Sequence, residues 1–271
     1  MDQAIATARA IYLFAVARPE HLSTPTGTAF EPDQPLRAVA VAPGLVGLIA
    51  DVPLSDFAGP DAEAKLADAG HVTRCAFRHE ELVRAALAQG PAMPLGFATV
   101  FSGEAALWAH ISPHTYAIAD FLDHTAGRDE WALKLVCDRG ALVKAIADRL
   151  VSEDPAAANA GAGTRYMLEK RALIRGEKQA DEHLDQLAAD LDALLEPLVA
   201  DWTERSPRRA PDRDDDLETV RTLALLIDRL ALPSARAAAD AWAAAHTDTG
   251  VALEWTGPWP AYSFVPRLNA E

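Results

Sequence analysis

The chain has 271 residues, with 40 acidic against 25 basic side chains and a formal net charge of −15 at pH 7. Such a surface repels phosphate backbones and anionic lipid, which argues against generic nucleic-acid or membrane-surface binding. Half of the residues are hydrophobic, enough for packed cores and too many for a disordered chain, and the length suits two modest domains.

Residues 10–17 form an apolar run with an Ala-x-Ala ending. Asp2 accompanies Arg9 ahead of it, so the run reads as a buried first strand, over 12–17, and not as a signal peptide. Residues 19–35 hold Pro19, Pro25, Gly27, Pro32 and Pro35 and read as a loop. Strands at 36–41 and 45–50 flank Pro43-Gly44 as a hairpin. Leu82, Val83, Ala86 and Leu87 share one face of a helix over 78–89, which Gly90-Pro91 ends. The uncharged stretch 85–103 contains Pro91 and Pro94 with adjacent glycines, which excludes a membrane span. Residues 93–101 are extended, Ser102 can cap a helix from Gly103, and Pro113 can open a second one towards Leu122.

Trp131, Leu133 and Leu135 alternate with polar or smaller residues over 130–137, a strand, and residues 141–151 read as a helix. A long helix follows from about 163 to 202, on the stripe Leu184, Leu187, Leu191, Leu194, Leu198 and Trp202. Pro207 and the acidic run 212–216 make an exposed turn. Residues 219–230 read as a buried strand, Ser234 can cap a helix to His246, and 251–255 is a final strand. Strand, helices, strand, helix, strand are the parts of a ferredoxin-like sandwich with one strand unassigned. The fold class is therefore α/β (α+β). An N-terminal α/β domain occupies 1–126, a ferredoxin-like domain 127–256, and an extended aromatic and proline tail 257–271.

Catalytic chemistry is weakly represented. Gly161-Ala162-Gly163-Thr164 follows no strand and lacks the phosphate-loop lysine, so it reads as a helix-to-helix joint. His110 and His114 have a metal-binding spacing that Pro113 breaks. Cys75 and Cys137 read as small core residues, with no zinc spacing between thiols and histidines. No catalytic residue, metal site or cofactor site is assigned. Trp255, Trp259, Tyr262 and Phe264 are more informative, because Gly257, Pro258 and Pro260 force them onto an extended path that must bury itself. Docking on the chain's own domains is the expected outcome.

Four blocks of the sequence resemble the gas vesicle protein GvpL/GvpF family. They are residues 93–101, with Pro94, Phe97, Thr99 and Phe101; residues 130–135, with Glu130, Trp131 and Lys134; residues 163–170, with Tyr166 and Lys170; and residues 256–265, with Gly257, Pro258, Trp259, Pro260 and Tyr262. Their order and spacing run through nearly the whole chain. Gly96 stands where the family usually has arginine, Ala98 where it has glycine, and Ala261 where it commonly has a second proline.

The resemblance implies a non-enzymatic accessory or minor structural protein, found with gas vesicles or in the cytoplasm of a prokaryote. Its partners would be the shell protein GvpA and other accessory proteins, without nucleic acid or membrane. It also implies an N-terminal α/β domain and a C-terminal modified ferredoxin-like domain with a tail. Shell binding is expected on the apolar hairpin, at Leu36, Val39, Val41, Leu45, Leu48 and Ile49. The motif residues are expected to be mainly structural, with Trp131, Tyr166, Trp259 and Tyr262 as domain-joining core. A small-molecule enzyme or sensor on a ferredoxin-like scaffold is the competing reading, marked by a deep pocket of converging polar groups.

Overall fold

The computed structural model describes residues 8–23, 25–57, 60–158, 160–205 and 217–268. Asp2, Pro207 and the acidic run 212–216 lie outside the described residues. The chain divides into two compact units, Met1–Arg128 together with Pro260–Glu271, and Asp129–Trp259.

The first unit contains β1 (Arg9–Ala17), β2 (Leu36–Ala42), β3 (Leu45–Pro53), β4 (Ala92–Pro94) and β5 (Val100–Phe101). Its helices are α1 (Pro60–Ala67), α2 (Ala69–Leu87), α3 (Glu104–Ile111) and α4 (Thr115–Thr125). The sheet order is β2-β3-β1-β4 with β5 also on β1, and the pairs are antiparallel. β1 is central, and every residue after Arg9 is buried. Two-sided cover explains its unbroken apolar run. Tyr12, Phe14, Ala15 and Ala17 share a core with Leu82, Val83 and Ala86 of α2, while α3 and α4 pack on other strands and bury Leu107, Ile111, Ile118 and Leu122. A register irregularity between Leu13 and Ala15 lets Phe14 and Ala15 meet the same core.

Local chemistry sets the boundaries. Gly44 takes φ 71°, the left-handed value that a Pro-Gly turn requires at its second position. α2 starts well before residue 78, because Asp68 caps it by accepting from the N–H groups of Gly70 and His71. The exposed residues of that first half carry no apolar stripe to reveal it. α3 has Gly103 at its N-cap, so Ser102 lies one residue outside the cap position assigned to it. A 3-10 turn at Ser112–His114 separates α3 from α4 around Pro113.

The second unit runs β6 (Arg128–Asp138), α5 (Arg139–Ser152), α6 (Ala162–Leu195), β7 (Asp201–Glu204), β8 (Leu217–Asp228), α7 (Leu232–Ala245) and β9 (Val251–Trp259). Its sheet order, β7-β8-β6-β9, on a β-α-β-β-α-β frame is ferredoxin-like. The core joins Leu133, Leu135 and Cys137 of β6 to Leu184, Leu187 and Leu191 of α6 and to Leu223, Leu225 and Ile227 of β8.

The long helix ends earlier than its stripe indicates. Pro197 sits in a 3-10 turn at Glu196–Leu198, and Trp202 lies on β7 opposite Leu225. β7 is the strand unassigned from sequence; the leucine spacing ran into it. Ser234 is not a cap either, since α7 begins at Leu232 with Pro233 in its first turn. β9 continues through Trp259, beyond the expected end at 255, with Trp259 opposite Glu130.

Candidate interaction surface

The β2–β3 hairpin ends the first sheet, with β2 last in the strand order. Its apolar residues mainly face inward. Leu36, Val41, Leu45, Leu48 and Ile49 are buried, and only Val39 of the six expected contacts is half-buried. A Cβ on Gly47 would lie 2.8 Å from both Leu13 Cδ1 and Val41 Cγ1, which shows how closely β3 packs there. The five buried side chains therefore hold the hairpin onto the unit and are not themselves a contact surface. What the hairpin exposes is its tip, with Ala40, Pro43 and Gly44 exposed beside half-buried Val39 and Val46. Residues 38–50 carry no charge. Past that stretch the sheet turns polar, where Arg37 pairs with Asp51 and Glu104, each at 2.9 Å.

A buried network fixes the first motif block against the C-terminal segment. His79 Nε2–H donates to the Leu95 carbonyl at 3.0 Å, which leaves Nδ1 to accept from the Tyr12 hydroxyl at 2.9 Å. The Tyr12 oxygen accepts the Ala98 N–H at 2.8 Å. Burial pushes the His79 pKa below its ordinary value, with the Leu95 contact and Glu80 opposing it, and pushes the Tyr12 hydroxyl well up. From beyond β9, Tyr262 packs on the same core, donates to Glu80 Oε2 at 3.2 Å and lies 3.5 Å from His79 Nε2. Pro94 is buried in β4, Phe97 contacts the His79 ring edge-on, Thr99 braces the loop by donating to the Gly96 carbonyl at 2.7 Å, and Phe101 lies against His110. The network was not read from sequence, although His79 falls on the helical face of Leu82, Val83 and Ala86 and so signals a buried imidazole.

The three departures from the family pattern have local physical readings. Ala98 takes φ 66°, a left-handed conformation that glycine adopts without a Cβ clash. Gly96 is exposed, and a Cβ there meets only Thr99 Oγ1 at 3.9 Å, so a side chain fits. Ala261 has φ −72°, a proline value.

The motif residues of the second unit separate into core and surface. Glu130 is buried, with Arg205 Nη1 at 3.8 Å. Lys134 is half-buried on β6 opposite Glu254. Gly257 has φ 145°, and a Cβ would lie 2.9 Å from Trp131 Cε3 and 3.1 Å from the Glu130 carbonyl, so only glycine lets β9 approach Trp131. Arg236 lies over both Trp131 and Trp255. Pro258 is exposed at the end of β9, and Pro260 is buried where the chain returns to the first unit. Tyr166, expected in a core, is instead 61% exposed, in the first turns of α6 where no residue is buried. Lys170 is exposed beside it, and Trp259 is also partly exposed.

A cleft of about 230 Å³ opens in the first unit between Phe30, Phe57 and Phe97. His71 Nε2 lies 3.6 Å from Cys75 Sγ in its wall. Cys75 is thus half-buried at a cleft and not the core residue expected, whereas Cys137 is fully buried with its thiol pushed up to about 11. Burial also raises the Cys75 thiol, which holds it protonated and poorly nucleophilic at neutral pH. His110 and His114 meet edge-on at 6.3 Å between centroids. Among the described residues, no three His, Cys, Asp or Glu side chains group to hold a metal ion, and no helix is long and apolar enough to cross a membrane.

The family model described as "Gas vesicle synthesis protein GvpL/GvpF" matches residues 10–266. The chain belongs to the GvpL/GvpF family. It is 26% identical to gas vesicle protein L of a Streptomyces species over 261 residues, covering 96% of this chain and 94% of that one. Gas vesicle protein L1 of Halobacterium salinarum is 29% identical over 210 residues, 74% of each chain. Two solved structures share the fold. GvpF of Anabaena has a TM-score of 0.64 at 16% identity, covering 96% of this chain and 99% of that one. GvpF of Microcystis aeruginosa has a TM-score of 0.60 at 14% identity, with 95% and 99% covered. The chain is a gas vesicle-related protein and shares its fold with these GvpF structures.

Proposed function

We propose that this GvpL/GvpF member is a non-catalytic accessory protein that binds the shell protein GvpA and assists gas vesicle assembly. The observation that carries the reading is the uncharged tip of the β2–β3 hairpin, at the end of a sheet in a chain of net charge −15. An apolar, aggregation-prone shell subunit needs an uncharged surface to sit on and a charged carrier to stay dispersed. The hairpin tip, with Ala40, Pro43 and Gly44 exposed beside Val39 and Val46, offers the first, and the charged remainder of the molecule the second. Val39, Ala40, Pro43 and Val46 make the contact, while Leu36, Val41, Leu45, Leu48 and Ile49 keep the strands in register. The protein works at the gas vesicle or in the surrounding cytoplasm, together with other gas vesicle components.

Co-expression with GvpA tests the proposal. Val39→Glu and Ala40→Glu place charge on the tip at half-buried and exposed positions, so folding is retained while pull-down of GvpA drops at least about tenfold. Undiminished capture by a correctly folded double variant excludes the hairpin as the contact.

A further inference from the structure

The two halves of α6 differ in charge and cover. Residues 165–178 carry Arg165, Lys170, Arg171, Arg175 and Lys178 against Glu169 and Glu177. Residues 179–196 carry six carboxylates and no lysine or arginine. This order runs against the helix macrodipole, which favours acids near the N-terminus and bases near the C-terminus, so helix stability does not account for it. No residue of α6 before Ala172 is buried, whereas the helix is regularly buried from there on. Tyr166, Met167, Leu173 and Ile174 are all exposed and fall within one face of α6. Lys170 lies between them on that face.

Two further observations bear on the occupant. Most arginines elsewhere are paired, as Arg18, Arg37, Arg139, Arg221 and Arg229 show. The five cations of residues 165–178 make no ion pair within 4 Å among the described residues, although Arg165 shares a pocket with Asp148, Glu153 and Asp154. The N-terminal half of α6 also borders a groove of about 420 Å³ between α5 and α6, floored by Leu150, Val151, Leu168 and Ala172, edged by Ile174 and rimmed by Arg171 and Arg175, with Asp154 at one end. A concave apolar floor with a cationic rim suits a side-chain row entering from a helix, whereas a planar bilayer suits a convex face. The net charge of −15 further disfavours an anionic bilayer.

We infer that the N-terminal half of α6 is a docking surface for an acidic amphipathic helix of another protein, with apolar side chains in the groove and carboxylates on the unpaired cations. This is a second contact surface, on a different unit from the hairpin, and it stands whether or not GvpA binds there. Charge-assisted pairs around an apolar centre give such a contact specificity and a strong salt dependence.

The test uses the full-length protein and a synthetic helical peptide of leucine and glutamate with one apolar face. The same peptide with lysine for glutamate, and vesicles containing phosphatidylglycerol, serve as competitors. Wild type binds the glutamate peptide, more weakly as salt rises, and discriminates against the lysine peptide. Lys170→Glu/Arg171→Glu/Arg175→Glu weakens glutamate-peptide binding at least about tenfold and improves binding of the lysine peptide. Ile174→Glu, at the groove edge, removes binding, and because all four positions are exposed both variants melt with wild type. Absent binding, equal binding of the two peptides, unchanged binding by folded variants, or preference for the vesicles each overturns the proposal. So does sedimentation showing that wild type dimerises through this face and that Ile174→Glu releases monomers.

Discussion

The covered half of α6 and its overhang obey different physics within one 34-residue helix. From Ala172 onward the helix is held by tertiary packing. Leu184, Leu187, Leu191 and Leu195 sink into the core under β6 and β8, and Gly176 lets α5 approach so closely that a Cβ would lie 2.8 Å from the Val143 carbonyl. Before Ala172 no residue of the helix is buried among the described residues, and the backbone is held by propensity and by continuity with the packed turns. Apolar residues therefore carry different meanings in the two halves. In one they specify the fold, and in the other they are surface whose removal costs the fold little.

Substitutions should separate the halves by size of effect. Leu191→Ala is expected to lower unfolding free energy by about 2–5 kcal/mol in denaturant melts, as a buried leucine truncation does. A cost below 1 kcal/mol would mean that the helix is not anchored there. Gly176→Ala comes next, at about 1–3 kcal/mol, because the added methyl meets backbone and not a side chain that can swing away. Tolerance of alanine with unchanged melting would show that α5 and α6 are further apart than described.

A pH effect of smaller size belongs to the covered half alone. Burial, then Arg149 and His246, lower the pKa of His183, against the opposing Asp190 and Asp248. Below its ordinary value near 6.5, the unfolded chain binds the proton more readily than the native one. The contribution of His183 is therefore complete above about pH 6.5 and falls as pH drops below it. Buried His79 in the first unit acts in the same direction. His183→Gln should flatten part of that acid slope in melts between about pH 5 and 7, and an unchanged slope would assign the whole of it elsewhere. The smallest effect is on the exposed face of α6, where Leu173→Ala should change stability by less than about 0.5 kcal/mol. A larger loss would place Leu173 in a core.

Much of the first sheet was legible because its signals are local. The run over 10–17 marks a strand covered on both faces, and Pro43-Gly44 names its own turn. In the second unit the sequence conveyed the helix but not its end. A leucine at every third or fourth place continues to Leu198 and Trp202, while Pro197 ends the helix and Trp202 enters β7. Periodicity does not distinguish the last turn of a helix from a short strand that happens to keep its phase. The hairpin residues show a further limit. An apolar, uncharged strand pair reads equally as contact surface or as core, and only the third dimension shows that five of the six side chains point inward. Tyr166 is the converse, a motif aromatic that reads as core and stands in solvent. The Tyr12–His79–Ala98 network joins residues far apart in the chain, so no spacing rule finds it.

The central claim is that this protein acts by holding an apolar shell subunit away from self-association. Light scattering by GvpA released from denaturant, with the purified full-length protein present at equal concentration, tests it most directly. Wild type should suppress the rise in scattering, and a folded Val39→Glu/Ala40→Glu variant should not. GvpA aggregation that proceeds unchanged beside wild type would contradict the account.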